Sequence, residues 1–432
     1  MKKPIFLLFA LSLLFSSCAA PDPGVQTLPA PVTAVSSTET ESGEENILFA
    51  EGHLTEIPDY TLPAGADPAL VREAAVKAMR DMLSVRWTPA EDYRYNKEGS
   101  VSNKDYVFKS GRLYAGLPYT EAGGSLVQFL QYYDFETGVF TANADHINET
   151  VGNMCGDAVM WGWAAVSSTL RGYFQSGSMT YAQGVIPVGN WVYPKEITTF
   201  HDYHTRRIVE ENGEEVMMES YALLQKADAV TSSGETSLGR HTMMVIENAN
   251  VVRQNGKIDP KKSTVLVQDQ RAGGSSDGFL AEEDGLTVRY SGRTRAEVTF
   301  EWLFQNHFLP LTVPELTGEK PYTPAEVKFR GETDSVKDVL GGVLECNFAL
   351  CTVKITVTDP SGEVASKFIN LSRNDTRSGQ AYEFPMSRFA YRAGEELWCR
   401  SLLKKGESYH LTLTAIPASG RCFEVADLDF TA

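Results

Sequence analysis

Residues 152–163 read Gly-Asn-Met-Cys-Gly-Asp-Ala-Val-Met-Trp-Gly-Trp, and this stretch decides the fold. It follows a polar, turn-prone segment and opens an apolar run that continues to about Leu170. That change of composition predicts a helix with Cys155 in its first turn. A thiol there lies near unpaired backbone amides and the positive end of the helix dipole, and both favour the nucleophilic thiolate. The sequence therefore predicts a reactive cysteine, whereas the alternative is a buried Cys155 that acts only as a small hydrophobe.

His241 is the first candidate for the base that such a thiol needs. It opens a predicted strand, residues 240–247, and its imidazole could accept the thiol proton and return it to a leaving amine. A surface histidine at the start of a strand is the alternative interpretation. His201 and His204 are rival candidates, and His146 precedes the cysteine in the chain. The spacing of His201 and His204 could also indicate a metal site, but no further ligand set accompanies them, so we expect neither a metal nor a cofactor.

The third catalytic residue should orient the imidazole. A second predicted strand ends in Gln268, Asp269 and Gln270. Strand alternation places Asp269 on the face opposite to both glutamines. Because a carboxylate stabilises an imidazolium better than an amide does, we choose Asp269 and keep Gln270 as the second choice. A cysteine, then a histidine, then a polar residue is the chain order of papain-like cysteine peptidases.

The N-terminus predicts export. Two lysines precede an apolar run that is too short to span a bilayer, and small residues lead to Cys18. This pattern resembles a bacterial lipobox, so residues 1–17 are predicted to be a lipoprotein signal peptide and Cys18 the lipidated residue. An ordinary signal peptide cleaved near Ala20 is the alternative. We expect an exported lipoprotein, anchored to a membrane by its lipid, on the cell surface or in the periplasm.

Composition divides the remainder of the chain. Residues 18–46 are rich in Pro, Ser, Thr and Glu and predict a flexible tether. Residues 47–317 mix helical and strand patterns, whereas residues 318–432 show short alternating strands and turns. The predicted fold class is α+β: a papain-like catalytic domain followed by a C-terminal all-β sandwich. The net charge of −17 argues against nucleic acid as a partner.

Cysteine usage follows the same division. The predicted sandwich contains four cysteines, Cys346, Cys351, Cys399 and Cys422, whereas Cys155 is the single cysteine of the predicted catalytic domain. Four clustered cysteines in an exported protein permit disulfides with three possible connectivities. Proximity in sequence favours the pairs Cys346 with Cys351 and Cys399 with Cys422.

A family resemblance rests on three features of residues 113–271. Gly116-Leu117-Pro118-Tyr119, Cys155 at a helix start and His241 opening a strand resemble the NlpC-type branch of papain-like cysteine peptidases. Members of that family commonly cut the peptide stems of bacterial cell wall at a bond involving D-isoglutamyl groups. The resemblance implies that Tyr119 lies near the nucleophile and that the backbone amide of Cys155 helps to bind the oxyanion. We also place Asp157 and Trp161 among the substrate-binding residues.

The chain departs from the family at the nucleophile itself. The family usually has Asp-Cys-Ser-Gly, in which the Asp and Ser help to hold the free amine of the stem peptide. Here the residues are Met154-Cys155-Gly156-Asp157, so that amine contact does not carry over. The segment between Cys155 and His241 is also longer than in compact members and could form a lid or a subsite wall.

The function predicted from the sequence is therefore an exported, lipid-anchored and monomeric cysteine peptidase or amidase. It would hydrolyse peptide or cell-wall amide bonds through a Cys-His-polar triad. Two alternatives share the same scaffold. One is a catalytically inactive papain-like protein that binds or adheres at the cell surface, and the other is an acyltransferase that uses the same thiol.

Overall fold

A computed structural model describes a large part of the chain. The described residues are 53–95, 106–120, 122–142, 151–171, 179–180, 182–194, 204–233, 240–271, 279–283, 286–290, 292–390 and 402–432. The predicted signal peptide (1–17), the lipidated Cys18 and the tether (18–46) lie outside these residues, as do His146, His201 and Cys399.

The described helices are short apart from α1, α3 and α4. Their bounds are α1 Pro68–Ser84, α2 Leu126–Phe129, α3 Cys155–Ala164, α4 Thr205–Tyr221, α5 Phe300–Gln305, α6 Pro314–Thr317, α7 Val336–Gly341, α8 Arg373–Ser378 and α9 Ser387–Ala390.

The strands form two groups along the chain. Those before α6 are β1 Arg86–Pro89, β2 Tyr93–Tyr95, β3 Tyr106–Phe108, β4 Tyr114–Ala115, β5 Val139–Phe140, β6 Ile186–Pro187, β7 Ala229–Ser233, β8 Arg240–Val245, β9 Arg253–Gln254, β10 Lys257–Ile258, β11 Thr264–Gln270, β12 Phe279–Glu283, β13 Leu286–Tyr290, β14 Gly292–Thr299 and β15 Leu309–Thr312. Those after α6 are β16 Val327–Arg330, β17 Val343–Cys346, β18 Leu350–Asp359, β19 Gly362–Asn370, β20 Glu383–Pro385, β21 Ser408–Pro417 and β22 Phe423–Thr431.

A six-stranded antiparallel sheet positions the candidate site. Its strand order is β14-β11-β8-β7-β15-β6. Helices α1 and α3 pack on one face, because Gln268 of β11 donates to the Val76 carbonyl of α1 and Met244 of β8 contacts Gly162 of α3. The end of α5 lies against the other face, where the Ser232 hydroxyl of β7 donates to the Asn306 carbonyl. Both faces of this sheet are therefore covered.

Helix α1 begins at a sequence, Asp67-Pro68, that is typical of a helix start. The Asp67 side chain accepts a hydrogen bond from the Ala69 amide at 2.8 Å, and a proline occupies the first turn, where no amide donor is needed. Val71 and Met79 are fully buried against the rest of the molecule. Leu70, however, is 54% exposed, so the buried face of α1 is rotated away from it.

Helix α4 contains a dipeptide, Asn212-Gly213, that is more typical of a hairpin turn. Asn212-Gly213 suggests a turn between strands, yet both residues lie inside Thr205–Tyr221. Ion pairs at i, i+4 spacing support the helix, Arg206 with Glu210 being one of them. Gly213 has φ 81° and ψ 163° and forms a kink that a residue with a side chain would adopt only with strain.

Two further segments differ from what their local sequence favours. Ser110-Gly111 within residues 106–114 is typical of a hairpin turn, but β3 pairs with β2 whereas β4 pairs with β1 and β13. Pro310 opens a run of Pro and Gly residues that is typical of a linker, but it lies in β15 and is paired with Val230 of β7. Distant pairing partners overrode the turn signals in both cases.

The C-terminal region has two antiparallel sheets. One has the strand order β19-β18-β21-β22 and the other β16-β17-β20. The short helices α7, α8 and α9 lie in the same region, so it is not built from strands alone. The chain is thus an α+β protein, and the papain-like and sandwich assignments stay predictions. Cys346 and Cys351 are thiols rather than a disulfide, and Cys422, the predicted partner of Cys399, is also a thiol, which corrects the predicted pairing. Burial raises the pKa of Cys346 and of Cys351 to about 12.

The two regions make direct contacts. The Gln128 side-chain amide of α2 is buried and donates to the carbonyls of Cys351 and Leu371. Near the start of the described chain, the Tyr60 amide donates to the Ser419 carbonyl at 2.8 Å, in the connection between β21 and β22. The region before α1 is therefore joined to the last hairpin of the protein.

Candidate functional site

Cys155 is the first residue of α3, as the sequence predicts. Met154 before it is extended, with φ −105° and ψ 176°, and Cys155 itself is 0% exposed. The Asp157 carboxylate accepts a hydrogen bond from the Met154 amide at 3.2 Å, so Asp157 caps the helix. A carboxylate in the first turn offsets the positive charge that would otherwise favour a thiolate.

The Gly116–Tyr119 segment lies beside the residues that precede the cysteine. Tyr119 forms a parallel bridge with Asn153, and the Asn153 amide donates to the Pro118 carbonyl at 3.0 Å. Gly152, which precedes Asn153, has φ 86°, and a Cβ atom there would lie 2.3 Å from the Pro118 oxygen. Glycine is therefore required at this position, and the backbone of Tyr119 is held near the start of α3.

Trp161 is a buried residue of α3. Its indole donates to the Gly123 carbonyl at 2.9 Å, and the side chain is 4% exposed. This hydrogen bond anchors α3 to the loop before α2. Trp161 thus has a structural partner, and its predicted contact with substrate stays a prediction.

His241, Asp269 and Arg293 form a hydrogen-bonded cluster across three strands. The His241 Nε2 atom lies 2.7 Å from Asp269 Oδ2. Arg293 of β14 donates from Nε to Oδ1 at 2.9 Å and from its terminal nitrogen to Oδ2 at 2.8 Å. The sequence predicted the His241–Asp269 pair but not Arg293.

The Asp269 carboxylate stays ionised in this cluster. Its side chain is 0% exposed, and burial alone would raise its pKa. The Arg293 guanidinium and the hydrogen bonds from His241 and Arg293 outweigh burial and hold the pKa well below its usual range. Asp269 can therefore orient the imidazole but is a poor proton acceptor.

Gln268 and Gln270 point to the opposite face from Asp269. The Gln268 amide donates to the Val76 carbonyl of α1 at 3.1 Å, and the Gln270 amide donates to the Leu117 carbonyl at 2.8 Å. This is the alternation that the sequence predicts for β11. Gln270 thus belongs to the side of the sheet that carries α1 and α3.

The same alternation in β8 separates His241 from the cysteine helix. A Cβ atom on Gly162 of α3 would lie 2.8 Å from Met244 Cε, so Met244 points towards α3. His241 is three residues before Met244 in a strand that pairs regularly with β7, and side chains at odd separation lie on opposite faces. The His241–Asp269 pair and Cys155 are therefore based on opposite sides of the six-stranded sheet.

Arg271 adds a second guanidinium near the cluster. Burial lowers the pKa of Arg271. The charge of Asp269 raises this pKa, that of Arg293 lowers it, and that of Tyr119 raises it. Arg271 thus links the Tyr119 segment to the histidine cluster around the end of β11. Neither Arg271 nor Arg293 was predicted from the sequence, because no local motif marks a cross-strand partner of Asp269.

The described part of the chain contains neither a cluster of metal-binding side chains nor a membrane-spanning helix. No group of three or more His, Cys, Asp or Glu residues there could hold a metal ion. His204 precedes α4 and is exposed. No described helix is long and apolar enough to cross a membrane.

Comparison with known proteins adds no assignment. No family model, curated protein or solved structure matches the chain. The NlpC-type resemblance consequently stays a prediction, and the geometry of the described residues is the basis for any functional proposal.

Proposed function

We propose that this chain is an exported, papain-like surface protein that binds a peptide or a cell-wall polymer without hydrolysing it through a Cys155–His241 pair. One observation carries the proposal: the Met244 side chain faces α3, whereas the His241 side chain lies on the opposite face of β8. A histidine on the far face of the sheet cannot take a proton directly from a thiol at the start of α3. The acyltransferase alternative needs the same proton transfer and is disfavoured for the same reason.

The surroundings of the thiol support this proposal. Cys155 is fully buried, and catalytic cysteines are commonly accessible to substrate. Asp157 occupies the helix cap, and Met154 and Gly156 replace the Asp and Ser that hold the amine in the enzymes this chain resembles. In this proposal Cys18 anchors the protein, residues 47–317 form the papain-like domain, and residues 318–432 form a sandwich that positions it or binds a surface polymer.

The second candidate is the cysteine peptidase or amidase. The specific observation in its favour is the His241–Asp269 hydrogen bond of 2.7 Å, because an oriented imidazole is what a thiol peptidase requires. This function needs a rearrangement that brings the His241 ring to the side of the sheet that carries Cys155. Tyr119 would then line the site as the resemblance implies.

Peptidoglycan provides a test that separates the two functions. Purified protein, its Cys155→Ala variant and its His241→Ala variant would be incubated with insoluble peptidoglycan, and both retention on the pellet and release of soluble fragments would be measured. We expect retention that Cys155→Ala leaves unchanged, with no release by any of the three proteins. Release that disappears in both variants would replace the binding proposal by the hydrolase.

A further inference from the structure

A groove runs along the exposed side of α1. It is lined by the extended segment around Tyr60 and Leu62, by Leu70 and Arg80 of α1, and by Thr294 of the edge strand β14. Its volume is about 560 Å³. That volume falls within the range of about 300–1,000 Å³ that is typical of small-molecule sites.

Most charges in the groove are already paired. The Asp81 carboxylate accepts from the Tyr60 hydroxyl at 2.8 Å and from Lys77 at 2.5 Å. Lys77 also lies over the Tyr60 ring, 5.2 Å from its centre. The Glu73 carboxylate is paired with Lys226. Lys77, Asp81 and Glu73 therefore each have a partner of opposite charge, either inside the groove or beside it.

Two charged residues of the lining have no partner of opposite charge in the described chain: Asp59, whose carboxylate accepts from the Thr61 amide, and Arg80. Arg80 is half-buried, and its guanidinium makes no hydrogen bond or ion pair with another residue of the described chain. A partly desolvated guanidinium with five donors is a strong site for a carboxylate, which can accept two parallel hydrogen bonds from it. The groove therefore offers one unsatisfied cation to an anionic group.

An apolar surface lies beside that cation. Leu70 is 54% exposed, although Val71 and Met79 of the same helix are fully buried, and Leu62 and Ala74 are only partly buried. Leu70 and Ala74 are four residues apart and so share one side of the helix, as do Ala74 and Lys77. An aliphatic group could cover Leu70 while a carboxylate reaches Arg80.

We propose that this groove binds a small ligand that combines a free carboxylate with an aliphatic side chain, such as the C-terminal residue of a peptide. Arg80 holds the carboxylate, and Leu70 with Ala74 contacts the side chain. The site is separate from Cys155 and His241, so it stands or fails independently of the function proposed above.

N-acetyl-L-leucine and N-acetyl-L-leucinamide are suitable probes, because they differ only in the charged group. Binding of each to the purified full chain would be measured by ligand-observed NMR titration. We expect the acid to bind the parent protein and Arg80→Gln to weaken its binding by about tenfold or more, because the neutral side chain offers no charge-assisted hydrogen bond to the carboxylate. The amide should bind more weakly and equally to both proteins.

Arg112→Gln is the matched control, because Arg112 is an exposed arginine outside the groove. It should bind the acid as the parent protein does. Equal binding of acid and amide, no binding of the acid, or full binding by Arg80→Gln would each overturn the proposal. If Arg80→Gln does not fold, Arg80→Lys decides: it keeps the charge but loses the paired donors, so unchanged binding of the acid would contradict a carboxylate held by the guanidinium.

Discussion

At the scale of single residues, Asp269 is the group on which the histidine cluster depends. It is fully buried, and it is hydrogen-bonded to His241 and Arg293 through both oxygens. A buried ion pair need not add to stability, but removing one partner leaves an uncompensated charge in the interior. The cluster should therefore tolerate the loss of His241 better than the loss of Asp269.

Asp269→Asn tests this dependence. The amide cannot neutralise the Arg293 guanidinium, which is only 22% exposed, so we expect the free energy of unfolding to fall by about 1–3 kcal/mol. Urea denaturation followed by circular dichroism would measure the change. Asp92→Asn is the control, since Asp92 pairs with Lys109 at the surface and should have little effect. Equal stability of Asp269→Asn and the parent would contradict the role of the carboxylate.

The same carboxylate predicts a pH dependence. The pKa of Asp269 is depressed in the folded protein. Its contribution to stability is therefore present above the unfolded pKa of about 3.9 and is lost as the pH falls below it. Urea denaturation between pH 3 and 7 should show that the difference in stability between the parent and Asp269→Asn shrinks at the acid end. A difference that stays constant over this range would exclude the linkage.

Cys155 gives a third prediction at this scale. Because the thiol is fully buried, we expect iodoacetamide at neutral pH to label it about tenfold or more slowly than free cysteine, through local opening of the structure. Mass spectrometry of the labelled peptides would give the rate. The exposed Cys422 is an internal reference, and labelling in urea shows that every thiol is reactive once unfolded. Labelling of Cys155 faster than free cysteine would favour the hydrolase.

Among the secondary-structure elements, the contact between α3 and β8 shows that Met244 faces α3 and that His241 lies on the other side of the sheet. Gly162 allows the approach, because a Cβ atom there would lie 2.8 Å from Met244 Cε and 3.2 Å from the Ala75 carbonyl oxygen of α1. A helix that packs this closely against both a strand and a second helix has little room to rotate or slide.

Gly162→Ala should therefore overpack this contact. We expect a loss of about 1–3 kcal/mol of stability, measured by thermal or urea unfolding. Because Met244 is the flexible neighbour, the double variant Gly162→Ala with Met244→Ala should lose less than the sum of the two single variants. Gly341→Ala is the control, since nothing lies within 4 Å of its added carbon, and its effect should stay within about 0.5 kcal/mol. Strict additivity would contradict a direct contact.

Elements with local signals could be predicted from the sequence, and their packing could not. The start of α1 was predictable from Asp67, and the alternation of β11 was predictable from the sequence around Asp269. The orientation of β8 was not, because both of its faces are buried and Met243 and Met244 are both apolar. The hydrophobic pattern of such a strand does not distinguish the face that α3 covers.

Register produced the second limit on prediction. Arg293 lies directly opposite Asp269, but the pairing of β11 with β14 shifts between Val267 and Asp269. An extra residue of this kind changes which side chains meet, and nothing in the local sequence marks it. The cluster of His241 with Asp269 was within reach of sequence reasoning, whereas its arginine was not.

At the scale of the whole molecule, buried polar contacts join the two predicted domains. Gln128 reaches from α2 to the carbonyls of Cys351 and Leu371, and the Arg171 guanidinium lies 4.1 Å from the centre of the Tyr382 ring. Such contacts require a fixed arrangement of both regions, because a buried carbonyl that is left without its donor lowers the stability of the folded protein. The N-terminal and C-terminal regions should therefore unfold together.

Gln128→Ala tests this coupling. Two buried carbonyls lose their donor, so we expect the free energy of unfolding to fall by about 1–3 kcal/mol. Urea unfolding would be followed by fluorescence and by circular dichroism, which should give coincident transitions in the parent. Gln131→Ala is the matched control, because its amide donates only locally, to the Val127 carbonyl. An unchanged midpoint for Gln128→Ala would show that the regions are energetically independent.

The hydrogen bond between Tyr60 and Ser419 has a mechanical consequence. If the protein is held at a membrane through its N-terminus, tension enters through the segment before α1. That segment is fastened to the turn between β21 and β22, where Gly420 lies so close that a Cβ atom would be 1.8 Å from the Pro58 oxygen. Part of a pulling force would consequently act on the hairpin of β21 and β22, at the C-terminal end of the chain, and not on α1 alone.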